Sequence, residues 1–403
     1  MKKKFKLFNS FDNKELKISK KIIKKGFLSG FVADNSDAFY GGKYVKKLES
    51  SFCKYFKSKY AISVNSWTSG LVCAVGSLNI KPGDEIIVTP WTMSATASAI
   101  IFWGAIPVFS EIDEKTFCLD FRNLEKKITK KTKAIMVADI FGQPANYKEI
   151  MKIAKKNNLK VISDTAQAIG SKVNNKYAGT IADIGGFSLN RHKHIQTGEG
   201  GIILTNNKYL ADNMYKIRNH GEVINKDKKF RNLIGFNFRM NEIEAAIGLE
   251  QLKKLNNIIK DKTNKAEYLT KLLNRIPGLI TPHIDKGNTH VYYCYPIKID
   301  RDIIKLKKDK IFQALKSEGI PIENNYVNLL DYYLYTNPKI KTIFPWSLSK
   351  KTYYSKKSKV YNHTKSIISN FLNISFCEYD FSYKDIDRIY LAFFRVWKKL
   401  NIQ

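Results

Sequence analysis

Between residues 59 and 206, short apolar runs alternate with helix-length segments, and this alternation leaves the chain very few folds. Candidate strands lie at 61–64, 85–88, 108–110, 134–138, 161–163, 186–189 and 202–205. The intervening stretches 68–78, 92–102, 124–128 and 148–157 read as helices. Strands joined by crossovers of helical length build a mostly parallel sheet covered on both faces. Lys81-Pro82-Gly83-Asp84 is a turn leading into a buried strand. The expected class is therefore α/β, a parallel sheet sandwiched by helices.

Beyond residue 240 the pattern changes. Residues 241–255 carry Ala, Leu and Ile at helical spacing, and a second amphipathic helix is expected after Asn256-Asn257, ending near Asn274 before Pro277-Gly278. A strand at 292–299 and helices at 303–318 and 385–400 predict a smaller α+β domain. A chain of 403 residues exceeds the usual single-domain size. Two domains are expected, 1–255 (with the N-terminal segment) and 256–403. The stretch 326–361, rich in Tyr and Lys, reads as an irregular insertion facing substrate.

Charge narrows the partners. The formal net charge is +33, from 69 Lys and Arg against 36 Asp and Glu. The lysines recur in pairs along the whole chain (Lys20-Lys21, Lys126-Lys127, Lys253-Lys254) and no nucleic-acid motif accompanies them. This is a general use of lysine, so no nucleic-acid partner is expected; what remains is attraction for phosphorylated or acidic small substrates. No run of about 18 uncharged apolar residues occurs, so no membrane span is expected. The basic start, Met1-Lys2-Lys3-Lys4-Phe5, leads into Asn9-Ser10-Phe11-Asp12-Asn13 and lacks the apolar region of a secretory signal. Five scattered cysteines without CxxC spacing indicate reduced thiols in a cytoplasm, with neither a disulfide framework nor a metal site.

Three segments carry chemistry. In Phe187-Ser188-Leu189-Asn190-Arg191-His192-Lys193-His194-Ile195-Gln196-Thr197-Gly198-Glu199-Gly200-Gly201, a lysine stands between a strand end and a glycine-rich turn. Partly desolvated and near other cations, such a lysine attacks aldehydes. In Val161-Ile162-Ser163-Asp164-Thr165-Ala166-Gln167, an acid stands at the carboxyl end of an apolar strand, where open α/β sheets place functional groups. Asp164 could equally cap the next helix. Asn65-Ser66-Trp67-Thr68-Ser69-Gly70-Leu71 opens a helix after a strand, and small residues there leave N–H groups to bind a phosphate.

Taken in order, these segments resemble the DegT/DnrJ/EryC1/StrS family of fold-type I sugar aminotransferases. The family patterns are Asn-Ser-Gly-Thr-Ala-Ala-Leu, Gly-Asp-Glu-Val-Ile-Val, Gly-Ala-x-Pro-Val-Phe, Glu-Asp-Ala-Ala-Gln-Ala, Phe-Ser-Phe…Lys…Thr-Gly-Glu-Gly-Gly and Gly-Tyr-Asn-x-Arg-Met. Residues 65–71, 83–88, 104–109, 163–168, 187–201 and 235–240 match them. The resemblance spans roughly residues 15 to 300 and implies a pyridoxal-5′-phosphate (PLP) enzyme. By position, Lys193 would form the Schiff base and shuttle protons. Asp164 would pair with the pyridine nitrogen, and Gln167 would approach the phenolic oxygen. Thr68, Ser69 and Ser188 would bind the phosphate, and Asn237 would reach the phosphate of the other subunit in a homodimer. Counting from Phe187-Ser188 and back from Thr197-Gly198-Glu199 both arrive at Lys193, which separates this chain from family dehydratases with histidine at that place.

Three departures stand out. Trp67 replaces the glycine before the phosphate-binding threonine, so its bulk must point away or contact substrate. The aromatic that covers the cofactor ring falls at Met93, with Trp91 as competitor. Asn325-Tyr326-Val327-Asn328 replaces His-Tyr-x-Pro in the small domain. Trp67, His194, His220 and Tyr326 are the expected substrate contacts. The function implied is amino transfer from glutamate to a keto-sugar, nucleotide-linked and 3- or 4-keto. A free eight- or nine-carbon ulosonic acid is the alternative substrate; a sugar dehydratase and a non-catalytic PLP-fold regulator compete with amino transfer.

Overall fold

The strands of the first half are continuous apolar runs, as a sheet covered on both faces requires. The computed structural model describes residues 4–34, 36–221, 233–349 and 357–402. Its first strands are β1 (Tyr60–Val64), β2 (Glu85–Val88), β3 (Ile106–Phe109), β4 (Thr132–Ala138) and β5 (Lys160–Asp164). A small hairpin follows, β6 (Lys172–Val173) and β7 (Lys176–Tyr177), then β8 (Ile184–Ser188) and β9 (Gly201–Thr205). Seven of these form one sheet in the order β1-β9-β8-β5-β4-β2-β3. The pairs from β8 to β3 are parallel, and β9 runs antiparallel to both neighbours.

Helices α1 (Asn13–Lys25), α2 (Lys43–Phe56), α3 (Trp67–Ser77), α4 (Ser94–Phe102), α5 (Tyr147–Lys156) and α6 (Lys208–Arg218) belong to this part of the chain. Alternate strand residues serve opposite faces. Ile86 and Val88 pack with α3 and α4, while Ile87 between them joins Ile135, Val137 and Ile150 on the other side. All are fully buried, and each such side chain contributes on the order of 2 kcal/mol.

The remaining elements are α7 (Glu242–Leu273), β10 (Leu279–Ile280), β11 (Tyr295–Ile299), α8 (Lys308–Ser317), β12 (Ile322–Glu323), α9 (Tyr333–Thr336), α10 (Lys359–Ile368), β13 (Phe371–Ile374) and α11 (Tyr383–Lys399). The antiparallel sheet β10-β11-β13-β12 packs against α8, α11 and the second half of α7, which is the smaller α+β unit expected.

Several local expectations change. The two helices read at 241–255 and 256–274 are one helix of 32 residues, because Asn256-Asn257 lie on its exposed side and neither residue breaks a helix. The helix expected at 124–128 is two 3-10 turns, Phe121–Asn123 and Glu125–Lys127, too short to propagate as an α-helix. The helix expected from 303 begins at Lys308. The stretch 326–361 is less irregular than its sequence suggests where it is described. Leu329, Leu330, Tyr335, Trp346 and Val360 are buried in the same cluster as α3 and α4, so its aromatics anchor it to the large sheet; residues 350–356 lie outside the described residues. Among the described residues no helix is long and apolar enough to cross a membrane. The five cysteines are free thiols.

Candidate active site

A cavity of roughly 370 Å³ opens where the carboxyl ends of β1, β2, β4, β5 and β8 converge. Open α/β sheets bind ligands at such strand ends. Its walls bring together Trp67, Thr68, Met93, Asp164, Gln167, Ser188, Lys193 and Tyr326 from segments up to 259 positions apart.

Each side chain has an evident local reason for its place. Ser66 caps α3, its hydroxyl accepting the Ser69 N–H at 3.1 Å, so Trp67 and Thr68 form the first turn. First-turn N–H groups have no intrahelical acceptor and carry the positive end of the helix dipole. The Ser69 hydroxyl turns away from the cavity and donates to Asn65 Oδ1 at 2.7 Å. Ser188 ends β8, and its Oγ accepts the Asn190 N–H at 3.2 Å.

Asp164 ends β5 and is nearly enclosed. Its Oδ1 accepts the Trp67 indole N–H at 2.7 Å and the Ala166 N–H at 3.3 Å, and its Oδ2 accepts the Thr96 hydroxyl at 2.7 Å. Gln167 is held at both ends of its amide: Oε1 accepts the Phe141 N–H at 2.7 Å, and Nε2 donates to the Tyr326 hydroxyl at 2.6 Å. Phe141 delivers that N–H from a left-handed backbone, φ 60°. One amide hydrogen of Gln167 therefore remains for a ligand oxygen.

Lys193 stands in the loop between β8 and β9, and its ammonium lies 4.3 Å from the centre of the Tyr293 ring. Desolvation lowers its basicity, ahead of the opposing influence of Cys377, Asp164 and Cys294. A larger fraction of free amine at neutral pH makes it a better nucleophile. Met93 borders the cavity and is half exposed, whereas Trp91 is sealed among Phe117, Phe141 and Phe371 and borders nothing open. Of the two residues read as ring covers, Met93 is the one in reach.

Besides Ser69, three residues read from the sequence stand elsewhere. His194 is fully buried, its Nε2 donating to the Val291 carbonyl at 2.6 Å, and burial pushes its imidazole down to about 3. His192, not His194, borders the cavity, with its Nδ1 3.3 Å from Glu378 Oε1. His220 and Asn237 are exposed on a short antiparallel ladder joining 219 to 237, away from this cavity. Sequence reading assigned no role to Thr96, Tyr293 or Asp139. Thr92 precedes α4 and Thr96 stands in its first turn, and their hydroxyls meet at 3.0 Å. Tyr293 comes from the smaller unit and had no local signal.

A desolvated lysine amine, a carboxylate fixed by two side-chain donors, and a helix start offering N–H groups together suit PLP. The first needs an aldehyde, the second a ring nitrogen, the third a phosphate. Fold and site define a PLP-dependent enzyme of fold type I. Residues 31–356 match the DegT/DnrJ/EryC1/StrS aminotransferase family, and the chain belongs to this family of PLP-dependent sugar aminotransferases. It is 32% identical over 340 residues to a GDP-perosamine synthase of Vibrio cholerae, covering 84% of this chain and 89% of that one. The structure of Helicobacter pylori PseC, an aminotransferase involved in the biosynthesis of pseudoaminic acid, superposes with a TM-score of 0.82 at 26% identity, covering 98% of this chain and 100% of PseC. GDP-4-keto-6-deoxy-D-mannose-3-dehydratase from E. coli, with bound hydrated PLP, superposes with a TM-score of 0.81 at 26% identity, covering 97% of this chain and all of that one.

Proposed function

We propose that the enzyme transfers an amino group from glutamate to a nucleotide-linked 3- or 4-keto sugar, for cell-surface polysaccharide or glycoconjugate biosynthesis. The observation that carries this reading is Lys193 itself: an amine of lowered basicity facing the cavity that Asp164 and Gln167 also border. When bound, the cofactor supplies an electron sink for the carbanion left by deprotonation. Lys193 would hold the cofactor through Nζ, and its amine stands where it would move a proton at short range. Asp164 would pair with the ring nitrogen, and the free amide hydrogen of Gln167 would be available to the phenolic oxygen. Thr68, Ser188 and the first turn of α3 would receive the phosphate, while the Ser69 hydroxyl is engaged by Asn65 outside the cavity. Met93 would cover one ring face, and Trp67 and Tyr326 would limit the space left for substrate.

The same reading assigns Asn237 to the active site of a second subunit, with His220 as a substrate contact, which makes the enzyme a homodimer with composite sites; the exposure of Asn237 supports it. Free thiols fit a cytoplasmic enzyme. The large and small domains divide near residue 255, within α7.

The test is the first half-reaction. Mixing the PLP-loaded enzyme with glutamate is expected to yield pyridoxamine phosphate and 2-oxoglutarate in equal amounts. Borohydride reduction and peptide mapping are expected to place the pyridoxyl group on Lys193, and Lys193→Ala to keep the fold while losing covalent cofactor. Deoxy-sugar formation without nitrogen in the product would replace amino transfer by dehydration. A label on Lys172 or Lys176 would remove Lys193 from its role.

A further inference from the structure

Trp67 resolves the departure noted in the sequence in an unforeseen way: the indole neither points away nor waits for substrate alone. It lies flat in the protein, 5% exposed, with its N–H on Asp164 Oδ1. Two glycines make the slot. A Cβ on Gly70 would stand 2.7 Å from Trp67 Cε3, and one on Gly186 would stand 2.3 Å from Trp67 Cζ3. Position 70 is alanine in the family pattern quoted above, so glycine-with-alanine at 67 and 70 has become tryptophan-with-glycine. The exchange adds an indole, for which Gly70 and Gly186 leave room, and with it one hydrogen-bond donor.

On the other side of the carboxylate, Thr92 and Thr96 form a hydroxyl pair 3.0 Å apart, and Thr96 donates to Oδ2 at 2.7 Å. Thr96 is fully buried. Donors at 2.7 Å to an enclosed carboxylate are charge-assisted bonds, and two of them on different oxygens fix the carboxylate plane.

We propose that Trp67 and Thr96 are positioning residues that hold Asp164 for the ring nitrogen of PLP, Trp67 being this chain's own addition. This rests on the reading of Asp164 given above. Neither residue touches the reacting atoms. They act by keeping the carboxylate from rotating away from its partner.

The experiment measures PLP binding to apoenzyme by fluorescence and the pH midpoint of the bound cofactor's visible absorption. Trp67→Phe fills the slot without the N–H. It is expected to weaken PLP binding about tenfold or more, the effect of losing a hydrogen bond to a charged group. It should also move the absorption midpoint upward, because a ring paired for less of the time withdraws electrons less from the link to lysine. Thr96→Val should act in the same direction, and Thr96→Ser should restore wild-type values. Should Trp67→Phe fail to fold, the Thr96 pair decides alone. PLP affinity within twofold of wild type and an unmoved midpoint in the folded variants would overturn the proposal. Asp164→Asn separates the layers: if it too leaves affinity and midpoint unchanged, the role of Asp164 falls; if it alone changes them, only the positioning role falls.

Discussion

Asp139 follows β4 as Asp164 ends β5, and the Asp139 N–H donates to the Asp164 carbonyl at 3.0 Å. It is fully enclosed and accepts from the Ala145 N–H, the Tyr147 hydroxyl and the Thr165 hydroxyl. Burial pushes its carboxyl up to about 7 despite those donors, and neighbouring Asp164 adds to the rise. The protonated form is thus favoured by the fold, so its stabilisation is complete below about pH 4 and lost as pH rises toward 7. His194 and His290 oppose it. Burial pushes both down to about 3, so their contribution is complete above about pH 6.5 and lost as pH falls toward 3. The opposed slopes flatten the wild-type profile between pH 4 and 6.5. Asp139→Asn should unmask the histidine slope: the stability difference between wild type and variant should fall by a few kcal/mol, on the order of the shift, between pH 4 and 7. Urea unfolding across that range measures it, and a constant difference would contradict it. At this scale the sequence was legible where motif order marks a residue, as for Lys193, Asp164 and Gln167. Thr96, Tyr293 and Asp139 were not, because each acts on a group far along the chain.

Helix starts in this protein are written in local chemistry. Asn241 and Glu244 form a capping box at the head of α7, each side chain accepting the other's N–H. Asn241→Ala should lower stability by about 1 kcal/mol in urea unfolding. Because α7 runs without interruption from beside α2 to the small sheet, cofactor binding in the same variant reports whether a frayed helix start is felt at the cavity. The same local signals explain what could be read at this scale. The buried strands were found from their apolar runs, whereas the continuity of α7 through Asn256 was hidden: asparagine pairs suggest turns, yet an exposed helix face accepts them at small cost. The hairpin β6–β7 was missed because two-residue strands carry no periodicity.

At the scale of the molecule, the +33 charge bears on encounter rather than on chemistry. A phosphorylated sugar is drawn to such a surface, and salt screens that attraction over about 8–10 Å. KM for a nucleotide sugar should therefore rise between 20 and 300 mM salt, on the order of several-fold, with kcat nearly constant. Equal KM values at both salts would confine the charge to solubility. The proposed composite sites make a second expectation. Lys193→Ala and Asn237→Ala, each weak alone, should regain activity when refolded together, because one site in each mixed dimer is then whole. Recovery no greater than the sum of the separate variants would place each site within one chain.

The reversal of β9 has a further consequence. The segment 189–200 is a hairpin loop whose two feet pair in register, Ser188 with Gly201 and Phe187 with Ile202. Inside it, Leu189 donates to Gly200, Arg191 to Gly198 and Lys193 to Asn190. A βα crossover can absorb an inserted residue by lengthening at its surface; this loop is measured from both ends and cannot. Length variation here should be purged by selection while the stretch 326–361 is left free to diverge. New substrate preferences in such an enzyme should therefore arise by rebuilding the second segment, with the lysine's loop carried along as a fixed-length cassette.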